Sequence, residues 1–205
     1  DIESRIIEAA KQVFVRKGYV PTTMNDVANE AGIGRTALHY YFLTKEMLFD
    51  AICGQLMGTL FPNVKKVMYG EGTMLDKIPL IIKEYAAVLQ HNMQFPVCII
   101  SEINRDPNHL YGVILKNREL IQPILQLREQ LTREMEEGII RKMPVIDVVT
   151  SFVSMIIFPL LIRAPLTTIF MDGEEAKFRE YIIERTPRLI NMMLMLLTPD
   201  KKDKN

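Results

Sequence analysis

Apolar residues return at helical spacing along almost the whole chain, and alternating β patterns bounded by turn signals are absent, so the fold class is all-α. Ile2, Ile6, Ala9, Ala10, Val13 and Phe14 form a first stripe, closed near Gly18 by a glycine stop. Thr23-Met24-Asn25-Asp26 fits the Ser/Thr-x-x-acid capping pattern before Val27, Ala28 and Ala31, and Gly32 ends that short second helix. Arg35 to Phe42 reads as a third helix. Thr44 caps a fourth, with Glu46 in its first turn near the positive end of the dipole. Pro62 kinks or ends the fourth helix, and Gly70-Glu71-Gly72 is a break. Further helices are expected at about 74–93, 96–104, 107–138, 145–163 and 174–197, about nine in total. Asp106-Pro107 reads as an N-cap followed by a first-turn proline, and Pro123, Pro159 and Pro187 should bend their helices.

The character of the chain changes at about residue 45. Residues 1–45 hold three short helices, and residues 46–205 hold long helices rich in Met and Ile. Three helices of that size bury little core alone, so the first unit should lean on the fourth helix. The 25 Lys+Arg balance 25 Asp+Glu, so no overall basic excess points to nucleic acid or to an anionic membrane, and a polyanion would need a local patch. Cys53 and Cys98 lie far apart, without CxxC or metal-ligand spacing, and read as reduced thiols of a cytoplasmic protein. Nothing at the N-terminus resembles a signal peptide. The uncharged run Val148–Ile162, 15 residues holding Thr150, Ser151, Ser154 and Pro159, suits a buried helix better than a membrane span.

Chemistry concentrates in Thr22–Leu48, TTMNDVANEAGIGRTALHYYFLTKEML. Two short helices joined by Ala31-Gly32-Ile33-Gly34 match the helix-turn-helix plan, with Gly32 permitting positive φ and Ile33 plugging the angle. Val27, Ala28, Ala31, Ile33, Leu38 and Phe42 should face inward. Arg35, Thr36, Ala37, His39, Tyr40 and Tyr41 should face outward or lie at the rim. From Ala31 through Lys45 there are two formal positive charges and no acid, which is the local patch a polyanion needs. Arg35 can fork to phosphate or guanine, Thr36 can donate to phosphate or touch a thymine methyl, and tyrosine hydroxyls reach phosphates. The same residues also suit a solvated helix pair that reads nothing.

The full pattern is more specific. Thr23, Val27, Ala28, Ala31-Gly32-Ile33, Leu38, Tyr41-Phe42 and Lys45-Glu46 with Leu48 resemble the TetR family of transcriptional regulators over about residues 5–50. The resemblance implies that Thr23 caps the second helix and meets a phosphate, and that Arg35, Thr36 and Ala37 face the major groove. It further implies that Tyr40, Tyr41 and Lys45 contact backbone phosphates. Where the family often carries Ser, this chain has Gly34, so the usual side-chain cap is missing, though Gly is an acceptable N-cap. Thr36, His39 and Tyr40 also depart from the residues usual there, which bears on base preference. The expectation is a homodimeric regulator, a repressor, that binds a pseudo-palindromic operator in double-stranded DNA and is released by a small apolar effector.

In residues 46–205, the resemblance implies an effector pocket among the middle helices. Met57, Phe61, Tyr85, Leu89, Met93, Cys98, Glu102 and Tyr111 are its candidates, and 13 methionines in the chain favour adaptable packing. The last two long helices carry apolar residues on more than one face. Phe152, Ile156, Leu160, Phe178, Ile182, Leu189 and Met193 are the candidates for an intersubunit four-helix bundle, with a wide monomer core as the competing reading.

Enzyme chemistry finds little support. His39, His91 and His109 are scattered, with no HExxH, GxSxG or P-loop, and no catalytic residue, metal or cofactor is assigned. Gly32-Ile33-Gly34 joins helices and is no phosphate cradle, since Ala37 breaks the GxGxxG pattern. Glu102 and Arg105 read as an i,i+3 surface pair. The alternative to a regulator is a helical ligand-binding or protein-interaction module that no longer reads DNA.

Overall fold

The computed structural model describes residues 1–93, 95–108, 112 and 118–199. Ten α-helices and no β-strand occur among them: α1 Ile2–Lys17, α2 Met24–Ala31, α3 Arg35–Tyr41, α4 Lys45–Tyr69, α5 Met74–His91, α6 Phe95–Arg105, α7 Arg118–Glu136, α8 Val145–Leu161, α9 Arg163–Phe170 and α10 Glu175–Leu197. They form two compact units, Asp1–Thr59 with Val97–Leu110 and Leu60–Pro96 with Tyr111–Asn205. The packing division thus falls inside α4, whereas the change in sequence character comes at its first residue.

In the first unit, α1 buries Ile6, Ala10, Val13 and Phe14 and ends at Gly18, whose φ of 84° suits only glycine. α2 starts with the expected reciprocal cap. The Thr23 hydroxyl accepts from Asp26 N at 3.2 Å, and the Asp26 carboxylate accepts from Thr23 N at 2.9 Å. At its other end Gly32 sits in the left-handed region (φ 65°, ψ 36°), and Ile33 N donates back to Ala28 O at 3.0 Å. Arg5 Nη2 donates to Ala31 O at 2.9 Å and ties α1 to that helix end. Leu38 and Phe42 anchor α3 in the core, while Ile33 is half-buried. Leu48, Phe49 and Ile52 of α4 complete this core, with Phe49 edge-on to Tyr19 at 5.2 Å. Each such burial contributes roughly 1.5–3 kcal/mol, so the head depends on α4 as its small size requires.

The second unit has its own core, centred on Met68, Met74, Ile82, Leu131 and Ile140, with Leu197 from α10. Through it runs a buried polar chain. Lys77 Nζ donates to Met68 O and to Gln130 Oε1, both at 2.9 Å. Gln130 Nε2 donates to Glu134 Oε1 at 2.6 Å and to Gly72 O at 3.1 Å. Both carboxylate oxygens of Glu134 accept from Met74 N, at 2.8 and 3.1 Å. Lys77, Gln130 and Glu134 are 5%, 2% and 3% exposed, so each hydrogen bond acts in low dielectric. The chain fixes the end of α4, the 70–73 turn, the start of α5 and α7 together.

Helices run through Pro62, Pro123, Pro159 and Pro187. The expected 145–163 helix stops at Leu161, and the short α9, unforeseen in the sequence, follows. Pro165 sits in its first turn, where a missing N–H costs nothing. α8 and α9 meet at a 66° bend, and no single described helix is long and apolar enough to cross a membrane.

Two expectations follow. Lys77→Met leaves Gln130 Oε1 and the Met68 carbonyl without their buried donor and should cost about 2–4 kcal/mol in urea unfolding, with the fold retained. Asp26 is held down to about 2 from 3.8, first by the hydrogen bond from Lys17 and then by the backbone and hydroxyl of Thr23. A depressed carboxyl stabilises above its unfolded value, so this contribution should be present above pH 3.8 and fade as pH falls towards about 2. Asp26→Asn should remove that component of the acid unfolding curve.

Candidate nucleic-acid interface and ligand cavity

With Leu38 and Phe42 turned into the core, α3 must present its other residues to solvent. Arg35, Thr36 and Ala37 are exposed at its start, and Tyr40 is 85% exposed. Tyr41 is half-buried and meets the Tyr40 ring edge-on at 5.3 Å. Gly34 caps α3 without a side-chain hydrogen bond, in space open enough for a Cβ. Arg35 Nε donates to His39 Nε2 at 3.2 Å, which requires that ring nitrogen to be the unprotonated one. His39 therefore orients Arg35, a role its i,i+4 spacing carried in the sequence but which was not assigned.

Thr23 is exposed at the start of α2, where its hydroxyl also donates to Asp26 Oδ2 at 2.8 Å. Lys45 is placed differently from a free phosphate ligand. Its ammonium donates to the carbonyls of Tyr19, Val20 and Thr22 at 2.8, 3.0 and 3.0 Å and lies 4.6 Å from the Tyr19 ring centre. Arg105 stacks on the same ring at 5.3 Å, so this residue of α6 also bears on the turn before α2. A phosphate contact would require the Lys45 ammonium to leave those three acceptors.

The acids of α2 are compensated. Lys17 pairs with Asp26 at 2.5 Å and Arg16 with Glu30 at 2.6 Å. These exposed pairs add little stability, but they neutralise the carboxylates next to the α3 face. The acid-free window of the sequence thus lies beside acids that already have cations.

In the second unit, α4, α5, α7, α8 and α10 surround a cavity of about 540 Å³. Of the pocket candidates, Phe61 and Tyr85 line it. Burial pushes the Tyr85 phenol above its ordinary range, and its ring meets Phe152 edge-on at 5.3 Å. Leu89 instead borders a separate small void, and Met93 is buried in a cluster with Leu160 and Phe178. Tyr111 and the side chains of Met57, Cys98 and Glu102 lie outside the described residues. Arg128, unassigned in the sequence because an exposed helical arginine carries no signal, is the one cationic side chain on the cavity wall among the described residues.

The interface candidates need correction. Phe178, Met193, Leu160, Leu189 and Ile156 are all buried within the single chain, so they form its core rather than a surface. Phe152 lines the cavity, and Ile182 packs against the Met93–Leu160–Phe178 cluster. Both helices are apolar on two sides, and the outward side holds other residues. Val153, which also borders the open side of the cavity, and Phe158 on α8, with Ile183 and Met195 on α10, are exposed, and Ile190 and Leu194 continue the α10 stripe half-buried. Arg185 Nη2, donating to Met155 O at 3.1 Å, ties the two helices together.

Residues 6–52 match the family described as bacterial regulatory proteins, tetR family. The HTH-type transcriptional regulator YfiR of Bacillus subtilis, itself uncharacterized, is 46% identical over 50 residues, 24% of each chain. The fatty acid metabolism regulator protein of the same organism is 25% identical over 91 residues, 43% of this chain and 47% of its own. This chain therefore spans about a quarter to a half of the length of these relatives. The HTH-type transcriptional repressor KstR2 of Mycobacterium tuberculosis is 24% identical over 149 residues, 72% of this chain and 74% of its own. The solved structure of that ketosteroid transcriptional regulator covers 98% of this chain and 96% of its own, with a TM-score of 0.68 at 16% identity, a likeness of fold. The likeness to the tetR family of bacterial regulatory proteins thus lies in residues 6–52, the segment that holds α2 and α3.

Proposed function

We propose that this chain is a DNA-binding transcriptional repressor that reads a pseudo-palindromic operator as a homodimer and is released by a small apolar effector. The observation that carries this reading is the exposed face of α3. Arg35, Thr36, Ala37 and Tyr40 project from a helix locked by Leu38 and Phe42, beside acids already paired to Arg16 and Lys17. Each α3 would enter one major groove, with half-sites about one helical turn (~34 Å) or slightly more apart. Thr23, Tyr40 and Tyr41 serve the phosphate backbone, and Arg35 serves a base edge or a phosphate.

Dimerisation falls to the outward apolar stripes of α8 and α10, which need a partner more than a lone surface would. The cavity of the second unit is the effector site. α4 contributes Phe61, Val64 and Met68 to its wall and begins at Lys45 in the head, so one helix carries a change in the wall to the reading unit. An effector acts only through a difference in affinity between the two states of that helix.

A fragment of the DNA upstream of its own coding sequence should be retarded by the protein in a salt-dependent way. Arg35→Ala should weaken this binding by about 1–3 kcal/mol per half-site, and a change in the sequences selected from a random pool would mark a base contact. Lys45→Ala should lower affinity by loosening the turn at Thr23 while leaving the salt slope unchanged. Loss of about one unit of slope would instead show its ammonium on a phosphate. Ile183→Glu should yield a folded monomer in sedimentation at micromolar concentration, and a persisting dimer would refute the assigned face.

A further inference from the structure

We infer that the cavity of the second unit takes an acidic amphiphile, with an apolar body of up to about 18 non-hydrogen atoms and one anionic head held at Arg128, since about 30 Å³ serves each water-sized atom. This rests on the reading of that cavity as the effector site. The wall is almost wholly aliphatic and aromatic, with Met68, Ile81, Leu131, Val149 and Phe152 typical of it. A ligand rich in polar groups would strand them unpaired against such a wall, so the body must be apolar.

Among the described residues, two polar side chains reach the cavity, Tyr85 and Arg128. Arg128 is exposed on α7, between Ile124 and Leu131, so its charge marks the open side. Its guanidinium has no ion pair or hydrogen bond among the described residues. Glu129 and Glu136 flank it in the outer groove of α7, and among the described residues no carboxylate lines the cavity itself. A planar guanidinium left with free donors at an apolar mouth fits a carboxylate or a similar oxyanion, which it can hold through two parallel hydrogen bonds. A cationic head would meet the same charge with the wrong sign. Tyr85 adds a neutral hydroxyl donor from the α5 wall, kept protonated by its burial.

The test is calorimetric titration of the full chain, without DNA, using hexadecanoate, hexadecanol and hexadecyltrimethylammonium below their aggregation concentrations. Hexadecanoate should bind at least about tenfold more tightly than the alcohol, a difference of about 1.4 kcal/mol, and the ammonium should bind no better than the alcohol. Arg128→Gln should bring the acid down to the level of the alcohol, and Val149→Trp, which fills the cavity, should weaken both. Equal binding of acid and alcohol by the unaltered protein would overturn the anionic head, as would a preference that survives Arg128→Gln. No binding by any probe, or binding indifferent to Val149→Trp, would overturn the site. Release of the protein from its upstream DNA is measured separately. Acid binding without release would sink the cavity's regulatory role and leave the ligand class standing.

Discussion

Two ammonium groups fix the ends of α4, and the rest of the structure depends on that helix. At its first residue, Lys45 gathers the carbonyls of Tyr19, Val20 and Thr22. Near its last turn, the Met68 carbonyl accepts from the buried Lys77. Between those points α4 supplies Leu48, Phe49 and Ile52 to the first core and Met68 to the second. Charged donors on carbonyls are among the stronger protein hydrogen bonds, about 1.5–3 kcal/mol each, and the buried one cannot be replaced by water. One helix thus contributes to both cores, and in the proposed regulator it is the link between ligand and reading head.

The head was legible in the sequence because each of its features is local. A cap needs a hydroxyl and an acid three residues apart, and Thr23 and Asp26 form that reciprocal pair. A left-handed helix end needs glycine, and Gly32 has a φ of 65°. Two inward anchors four residues apart, Leu38 and Phe42, determine which residues of α3 reach solvent. Lys45 shows the limit of such reasoning. Its chemistry suits a phosphate or a carbonyl equally, and the path of the 19–22 turn that brings three carbonyls to its ammonium is not written in its own neighbourhood.

In the second unit, periodicity gave the helices but not their sides. α8 carries Phe152, Ile156 and Leu160 on one side and Val153 and Phe158 on another, and hydropathy ranks the two sets alike. Which set is interior depends on where α5 and α10 lie, a long-range fact that no window along the chain contains. The cavity has the same character. Its wall draws on five helices, so Pro123 and Val145 contribute as much as Phe61, although nothing in the local sequence joins them. α9 is only eight residues long, and Pro165 lies in its first turn, where a missing N–H is tolerated.

Packing energetics explain why this cavity must communicate with its surroundings. Closed voids made by trimming core side chains cost about 24 cal/mol per Å³, so a sealed void of this volume would forfeit on the order of 10 kcal/mol. That matches the whole stability of a typical domain, about 5–15 kcal/mol. The helices therefore do not seal it: Ile124, Ile146 and Val153 on its wall are each about half exposed or more. A molecule that fills the space restores contacts to side chains that otherwise have none on one face, and it does so only when the helices hold the shape that fits it. In the proposed regulator, the free energy for switching would come from the wall itself, to which α4 contributes Phe61, Val64 and Met68.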